Sequence, residues 1–192
     1  IDKVEIIKGS LLINTQDKNE IEIAQSLGIA ANPYDIVNGE LLSSNGNLLL
    51  MDETGTLTIP DSVTKIGEGA FANLGGLKTI IIPGTVKEIG ANAFSFNQTL
   101  ETVVMQEGVE VIGNKAFSNC GNLKNVAFPD SLVKIGEMGF YQCAAITKIE
   151  LPDKLEEVPS YCFHECINLK FLKLPSNLKA IEYSAFNRTK IS

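Results

Sequence analysis

Residues 77–99 read LKTIIIPGTVKEIGANAFSFNQT, and the next 23 residues, 100–122, repeat the same plan as LETVVMQEGVEVIGNKAFSNCGN. The overlay is residue for residue: Leu77 on Leu100, Ile80 on Val103, Ile82 on Met105, Val86 on Val109, Ile89 on Ile112 and Phe94 on Phe117. The step continues in both directions. Phenylalanine recurs at Phe71, Phe94, Phe117, Phe140, Phe163 and Phe186 without insertion or gap, so six copies are present. A small residue precedes each ring (Ala70, Ala93, Ala116, Gly139, Cys162, Ala185), and Pro60, Pro83, Pro129, Pro152 and Pro175 form a further column in which Gln106 is the exception. Conserved side-chain size at a fixed period of this length is the signature of a stacked-repeat protein.

Each unit opens with alternating apolar positions (Ile80/Ile82, Val103/Met105, Val126/Phe128, Ile149/Leu151, Leu172/Leu174), the pattern of a short strand with one buried face. The proline that follows cannot donate to a ladder, so the strand ends and the chain turns. A single unit buries too little apolar surface to offset its ordering. Stacking neighbours supplies the ladder bonds and covers each face, which predicts a solenoid with parallel strands about 4.8 Å apart and a stacked phenylalanine spine.

The strand ending in Pro, the later Ile-Gly (Ile66-Gly67, Ile89-Gly90, Ile112-Gly113, Ile135-Gly136) and the Ala-Phe resemble the BspA-like, or treponemal-class, leucine-rich repeats over about residues 54–192. That resemblance implies a right-handed leucine-rich-repeat solenoid with a parallel sheet on the concave face and short helical or irregular turns on the convex face. It also implies a secreted or cell-surface protein, typically bacterial, with adhesion as the usual role and host extracellular matrix among the partners. It transfers no fixed binding residues.

The domain reading is an N-terminal cap over residues 1–53 followed by six 23-residue repeats over 54–192. Within the cap, Asn45-Gly46 between apolar runs predicts a hairpin over 39–51. Val4 to Ile13 reads as a strand or hairpin, Asp17 with Glu20 as the start of a short helix to about Leu27, and Asn32-Pro33 as a turn. Residues 1–38 read either as a degenerate coil or as the tail of a preceding domain. The chain begins at Ile1 and reads as a processed product or a fragment. Near the other end, Ile191 arrives one residue early at the leading-Leu position, which predicts either continuation of the natural protein or contact of that edge with another chain.

Over its 192 residues the chain carries a net charge of −7, which argues against a nucleic-acid-binding patch or a polybasic membrane foot, and no apolar run is long enough for a membrane span. Chemistry has little to work with: one histidine, His164, and four cysteines. Cys162, His164 and Cys166 with Cys143 have zinc-like spacing, but the repeat register places Cys162 inward and His164 in a column expected to be exposed. Cys120, Cys143 and Cys166 form a column read as buried packing, with a disulfide or metal as lesser alternatives. No catalytic residues, metal or cofactor are assigned.

The outward strand positions remain as the candidate partner-binding stripe: Thr79, Ile81, Thr102, Val104, Lys148, Glu150, Phe171 and Lys173, with Phe171 as an aromatic anchor. Tyr141, Tyr161 and Tyr183 on the opposite arc are weaker candidates. The functional expectation is a non-enzymatic module that binds a protein or glycan partner. Its rival is a passive spacer within a larger surface protein.

Overall fold

A computed structural model describes residues 3–7, 10–14, 30–31, 35–43 and 51–191, with side chains for 38–41 and 51–191. Within these residues the chain forms a parallel-sheet β-solenoid of six coils, with turns and no helix between strands. The irregular alternative for the connecting arcs is therefore the one adopted.

Near the N-terminus, β1 (Lys3–Ile7) and β2 (Ser10–Asn14) make an antiparallel hairpin, as expected for Val4 to Ile13, and β3 (Ala30–Ala31) joins β2 in parallel. The proposed helix to Leu27 and the Asn32-Pro33 turn lie outside the described residues. Next, β4 (Asp35–Val37) and β5 (Glu40–Ser43) form a second antiparallel hairpin. Its turn is Asn38-Gly39, with φ of 52° and 80°, the two left-handed residues a type I′ turn demands. The other edge of β5 pairs in parallel with β7 (Lys65–Ile66). Asn45-Gly46 itself is outside the described residues.

Each coil then contributes two short strands. The first row comprises β6 (Thr56–Thr58), β8 (Thr79–Ile82), β10 (Thr102–Met105), β12 (Asn125–Ala127), β14 (Lys148–Glu150) and β16 (Phe171–Lys173). The second row comprises β7, β9 (Glu88–Ile89), β11 (Val111–Ile112), β13 (Lys134–Ile135), β15 (Glu157–Val158) and β17 (Ala180–Ile181). Parallel pairing holds a 23-residue offset, for example Val103 opposite Ile80 and Ile112 opposite Ile89. Between the rows, the carbonyl before each bend accepts from the amide three residues on: Pro83 from Val86, Pro129 from Leu132 and, equally, Gln106 from Val109. Because the turn uses the carbonyl and not the ring, Gln106 does not break it.

The core is the predicted spine. The six phenylalanines stack in order, with centroids 5.2, 5.2, 5.3, 5.4 and 5.5 Å apart and planes within 11° of parallel. Such spacing lies within the favourable range for offset aromatic pairs. Beside it runs a polar ladder. Asn97 is buried; its Nδ2 donates to the carbonyls of Phe71 and Phe94, and its Oδ1 accepts from the Leu74 amide, each at 2.8 Å. One coil later the column changes to thiols: Cys120, Cys143 and Cys166 donate to the carbonyls of Phe94, Phe117 and Phe140 at 3.1–3.2 Å. They serve main-chain acceptors of the arcs, of which the Phe94 carbonyl is shared with Asn97 and the Phe140 carbonyl with the Cys143 amide.

Each arc also requires two residues with left-handed backbone four apart, at Gly69 and Asn73, Asn92 and Phe96, Lys115 and Asn119, Met138 and Gln142, Tyr161 and Glu165, and Ser184 and Arg188. Glycine or asparagine fills only Gly69, Asn73, Asn92 and Asn119 of these positions, so the two columns announce the conformation in the early coils and not in the later ones.

Candidate partner-binding face and an open seam

The eight sequence-selected residues all lie on the first strand row. Thr79, Ile81 and Thr102 are half-buried; Val104, Lys148, Glu150, Phe171 and Lys173 are exposed, with Phe171 at 66%. They do not form one continuous surface. The first row is a four-stranded sheet, β12-β10-β8-β6, and a separate pair, β14-β16; the second row divides at the same level into β13-β11-β9-β7-β5-β4 and β15-β17. The expected parallel sheet is present but interrupted: the solenoid has a seam between the coil of residues 123–145 and that of 146–168.

The seam is open on both strand rows and closed on the arcs. In the preceding coils, the amides of Glu101 and Thr102 donate to Lys78, and those of Lys124 and Asn125 to Glu101. Among the described residues, no backbone bond joins Thr147 or Lys148 to Lys124, or Glu156 or Glu157 to Val133. On either side of the gap the contacts persist: Asn168 Nδ2 donates to the Ala144 carbonyl at 2.9 Å, Met138 N–H to Ser160 at 3.1 Å, Phe140 to Cys162 at 2.9 Å and Gln142 to His164 at 2.9 Å. Phe140 and Phe163 remain stacked across it.

Two residues account for the opening. The glycines Gly90, Gly113 and Gly136 adopt ordinary φ values and are required by close approach: a Cβ on any of them would sit under 3 Å from the backbone of the preceding coil. Each also donates its N–H to that coil, Gly136 to Ile112 for instance. At the next step the column holds Pro159, which has no N–H for Ile135 and carries a ring into the tight position. Glu182, one step further, has a Cβ yet still donates to Val158 at 2.9 Å, so the missing donor is what distinguishes Pro159. On the first row, Phe128 occupies the column of Ile59, Ile82, Met105, Leu151 and Leu174. Its ring sets edge-on against Phe140 at 5.5 Å and 88°, and it stays half-exposed where Ile82 and Leu151 are buried.

On the first-row side the seam forms a cleft of about 610 Å³ lined by Thr102, Val104, Lys124, Val126, Phe128 and Lys148 among others. It gathers four of the eight selected residues, Thr102, Val104, Lys148 and Glu150, and leaves out Thr79, Ile81, Phe171 and Lys173. Sequence reading missed Val126 and Phe128, which it assigned to the core. The available signals were the lone aromatic in an aliphatic column and the lone proline in a glycine column. Charges at the rim are paired: Lys124 with Glu101 at 3.1 Å and Lys148 with Glu150 at 2.5 Å. The hydrogen bond and charge of Lys148, with a smaller contribution from Lys173, hold the Glu150 carboxyl below its usual range.

The thiols are poor candidates for chemistry. All four are free and buried. Desolvation pushes Cys120 and Cys166 up to about 12 and raises Cys143 and Cys162 well above the ordinary thiol value, the reverse of what a nucleophile needs. His164 is more covered than its column predicted, because neighbouring arcs stack over it; Ser95 and Ser118 in the same column are buried. Its ring stacks on Tyr141 at 5.5 Å and meets Tyr161 edge-on, while Tyr161 meets the exposed Tyr183. His164 Nδ1 is buried without a hydrogen-bond partner. Among the described residues, no cluster of His, Cys, Asp and Glu is arranged to hold a metal ion.

A stacked aromatic spine, parallel strands at a 23-residue offset and a buried Asn/Cys ladder define a solenoid-type leucine-rich-repeat protein. More specifically, the chain belongs to the BspA type leucine rich repeat region family, whose model matches it in six copies over residues 51–108 and 96–192. It is similar to a leucine rich cell surface protein from Faecalibacterium prausnitzii, at 32% identity over 71% of this chain and 40% of that one, with a TM-score of 0.67. A leucine-rich repeat protein from Eubacterium ventriosum is similar at 28% identity over 71% and 37%, TM-score 0.66. The T. pallidum Leucine Rich Repeat protein shares the fold at 20% identity over 77% and 81%, TM-score 0.63. The chain thus spans about two fifths of the first two relatives. No curated protein matches it.

Proposed function

We propose that this chain is a non-catalytic, adhesion-type binding module of a secreted or cell-surface bacterial protein, with residues 1–53 capping the array. The observation that carries the reading is the first strand row. It presents Thr79, Ile81, Thr102, Val104, Lys148, Glu150, Phe171 and Lys173 outward from hydrogen-bonded strands, so a partner meets side chains whose backbone is already ordered. Pre-organisation of this kind lowers the entropic cost of association. Membership of a leucine-rich-repeat family, whose solenoids typically serve protein interaction, supports the same reading, as does similarity to a protein described as a cell surface protein. The partner class is protein or glycan, with host extracellular matrix the first to test.

The experiment is capture of immobilised matrix proteins and glycans by wild type and by Ile81→Ser/Phe171→Ser, both exposed or half-exposed on the row. Loss of capture with unchanged melting supports the reading. Capture that survives the substitutions removes this face from it, and wild type that captures nothing favours the spacer.

A further inference from the structure

Among the described residues, the seam is the one place where the array of parallel strands is interrupted. Among the described residues, the other first-row strands within the array, β8 and β10, are paired in parallel on both edges, and β6 at its start is met by a bridge between Leu57 and Met51. At the seam, β12 and β14 each have one bare edge, and the two bare edges face each other across the cleft. By the register of the intact ladders, the seam-facing groups are the Lys124 carbonyl and the main chain of Val126 on one wall, and the main chain of Lys148 and Glu150 on the other. Such edges are a template for pairing with another chain.

We infer that this cleft is a strand-acceptor site, in which an extended, uncharged segment of a protein partner adds to the bare edge of β12 and turns apolar side chains onto Val126 and Phe128. The inference rests on the protein-binding reading above and names what that partner would present. Three features select the occupant. Open main-chain donors and acceptors ask for a ligand that alternates the two, as an extended peptide does. The half-exposed Val126 and Phe128 stand in columns that are otherwise apolar and mostly buried, and so give an apolar floor for alternate side chains. Charge complementarity sets the rest: because Lys124 and Lys148 are neutralised by Glu101 and Glu150, the rim offers no uncompensated charge to an acidic or basic segment. The volume of about 610 Å³ is within the ordinary range of ligand sites. The retained arc bonds and the Phe140–Phe163 stack let the walls adjust about the arcs without loss of the core.

The test uses a fluorescein-labelled peptide copying residues 102–106, Thr-Val-Val-Met-Gln, an uncharged segment whose strand pairs on both sides within the array. Its control carries proline at the two central valines. The protein is compared with Phe128→Ile/Pro159→Gly, which restores both columns to the residues found in intact coils. Saturable binding to wild type is expected in fluorescence anisotropy, weakened at least tenfold by the proline peptide and at least tenfold in the double variant, whose melting is no lower than wild type. Equal binding of both peptides, equal binding by the double variant, or no binding overturns the strand-acceptor site. If matrix capture still depends on Ile81 and Phe171, which lie outside the cleft, the binding-module reading survives that result; if capture fails while the peptide binds, the exposed row loses its role and the seam keeps its own.

Discussion

Replacing Phe117 by alanine should cost far more than the same change at Phe186, although the two occupy the same column. Phe117 is fully buried and stacked on both sides, at 5.2 Å to Phe94 and 5.3 Å to Phe140. Emptying such a core position costs about 3–5 kcal/mol, and each lost aromatic pair adds about 0.5–1.5 kcal/mol. The sum for Phe117→Ala is therefore about 4–8 kcal/mol. Phe186 is half-buried and has one neighbour in the stack, Phe163 at 5.5 Å, so about half of that, 2–4 kcal/mol, is expected. With a urea slope of about 2–3 kcal/mol per molar, the central variant shifts its midpoint by about 2 M and the terminal one by about 1 M. The measurement is urea unfolding followed by circular dichroism and tyrosine fluorescence, since the chain has no tryptophan. Phe117→Leu, which keeps apolar volume and removes both stacks, should fall between them. Equal costs at the two positions, or a cost below about 2 kcal/mol at Phe117, would refute nearest-neighbour stacking as the source of stability.

Asn97→Ala should destabilise by about 3 kcal/mol, because it leaves the Phe71 carbonyl and the Leu74 amide without that partner and the Phe94 carbonyl with only the weaker Cys120 thiol; thermal unfolding reads the loss, and Asn97→Cys should recover part of it by serving one carbonyl as the later coils do. In native-state hydrogen exchange the amides of Thr147, Lys148, Glu156 and Glu157 should exchange well ahead of Glu101, Thr102, Glu110 and Val111; equal protection would mean that the seam is closed in solution. The folded state holds the Cys120 and Cys166 protons up to about 12 against an ordinary value of 9.0, so their contribution is intact below about pH 9 and is lost as pH rises toward 12. Melting temperatures at pH 8 and 10.5 should therefore diverge, and Cys120→Ala/Cys166→Ala should narrow the difference; an undiminished drop in that variant would assign the alkaline loss to other groups. Lys115→Gly should stabilise by about 1 kcal/mol, since an exposed lysine there carries a φ of 56°, and a neutral or destabilising result would show that the arc tolerates a side chain without strain.

The contour of one coil was legible before any coordinates, since it depends on columns that repeat at an unbroken step. Ile80, Ile82, Val86, Ile89 and Phe94 had to face inward together, and stacking their equivalents places ring upon ring. The exposed row followed from the same alternation, which is why Phe171 and Val104 emerged where expected. Hydrophobic pattern alone could not locate the seam, because Phe128 is as apolar as the isoleucine it replaces, and Pro159 is harmless unless its column lies against the backbone of the preceding coil. The polar ladder was hidden for a related reason: Asn97 and Cys120 differ in chemistry but serve the same carbonyl, and that shows only once the arcs are folded. Repetition along the chain therefore determines how each coil curves, whereas the distance between two adjacent coils is a property of paired backbones, and a single absent N–H at Pro159 acts there and nowhere in the one-dimensional pattern.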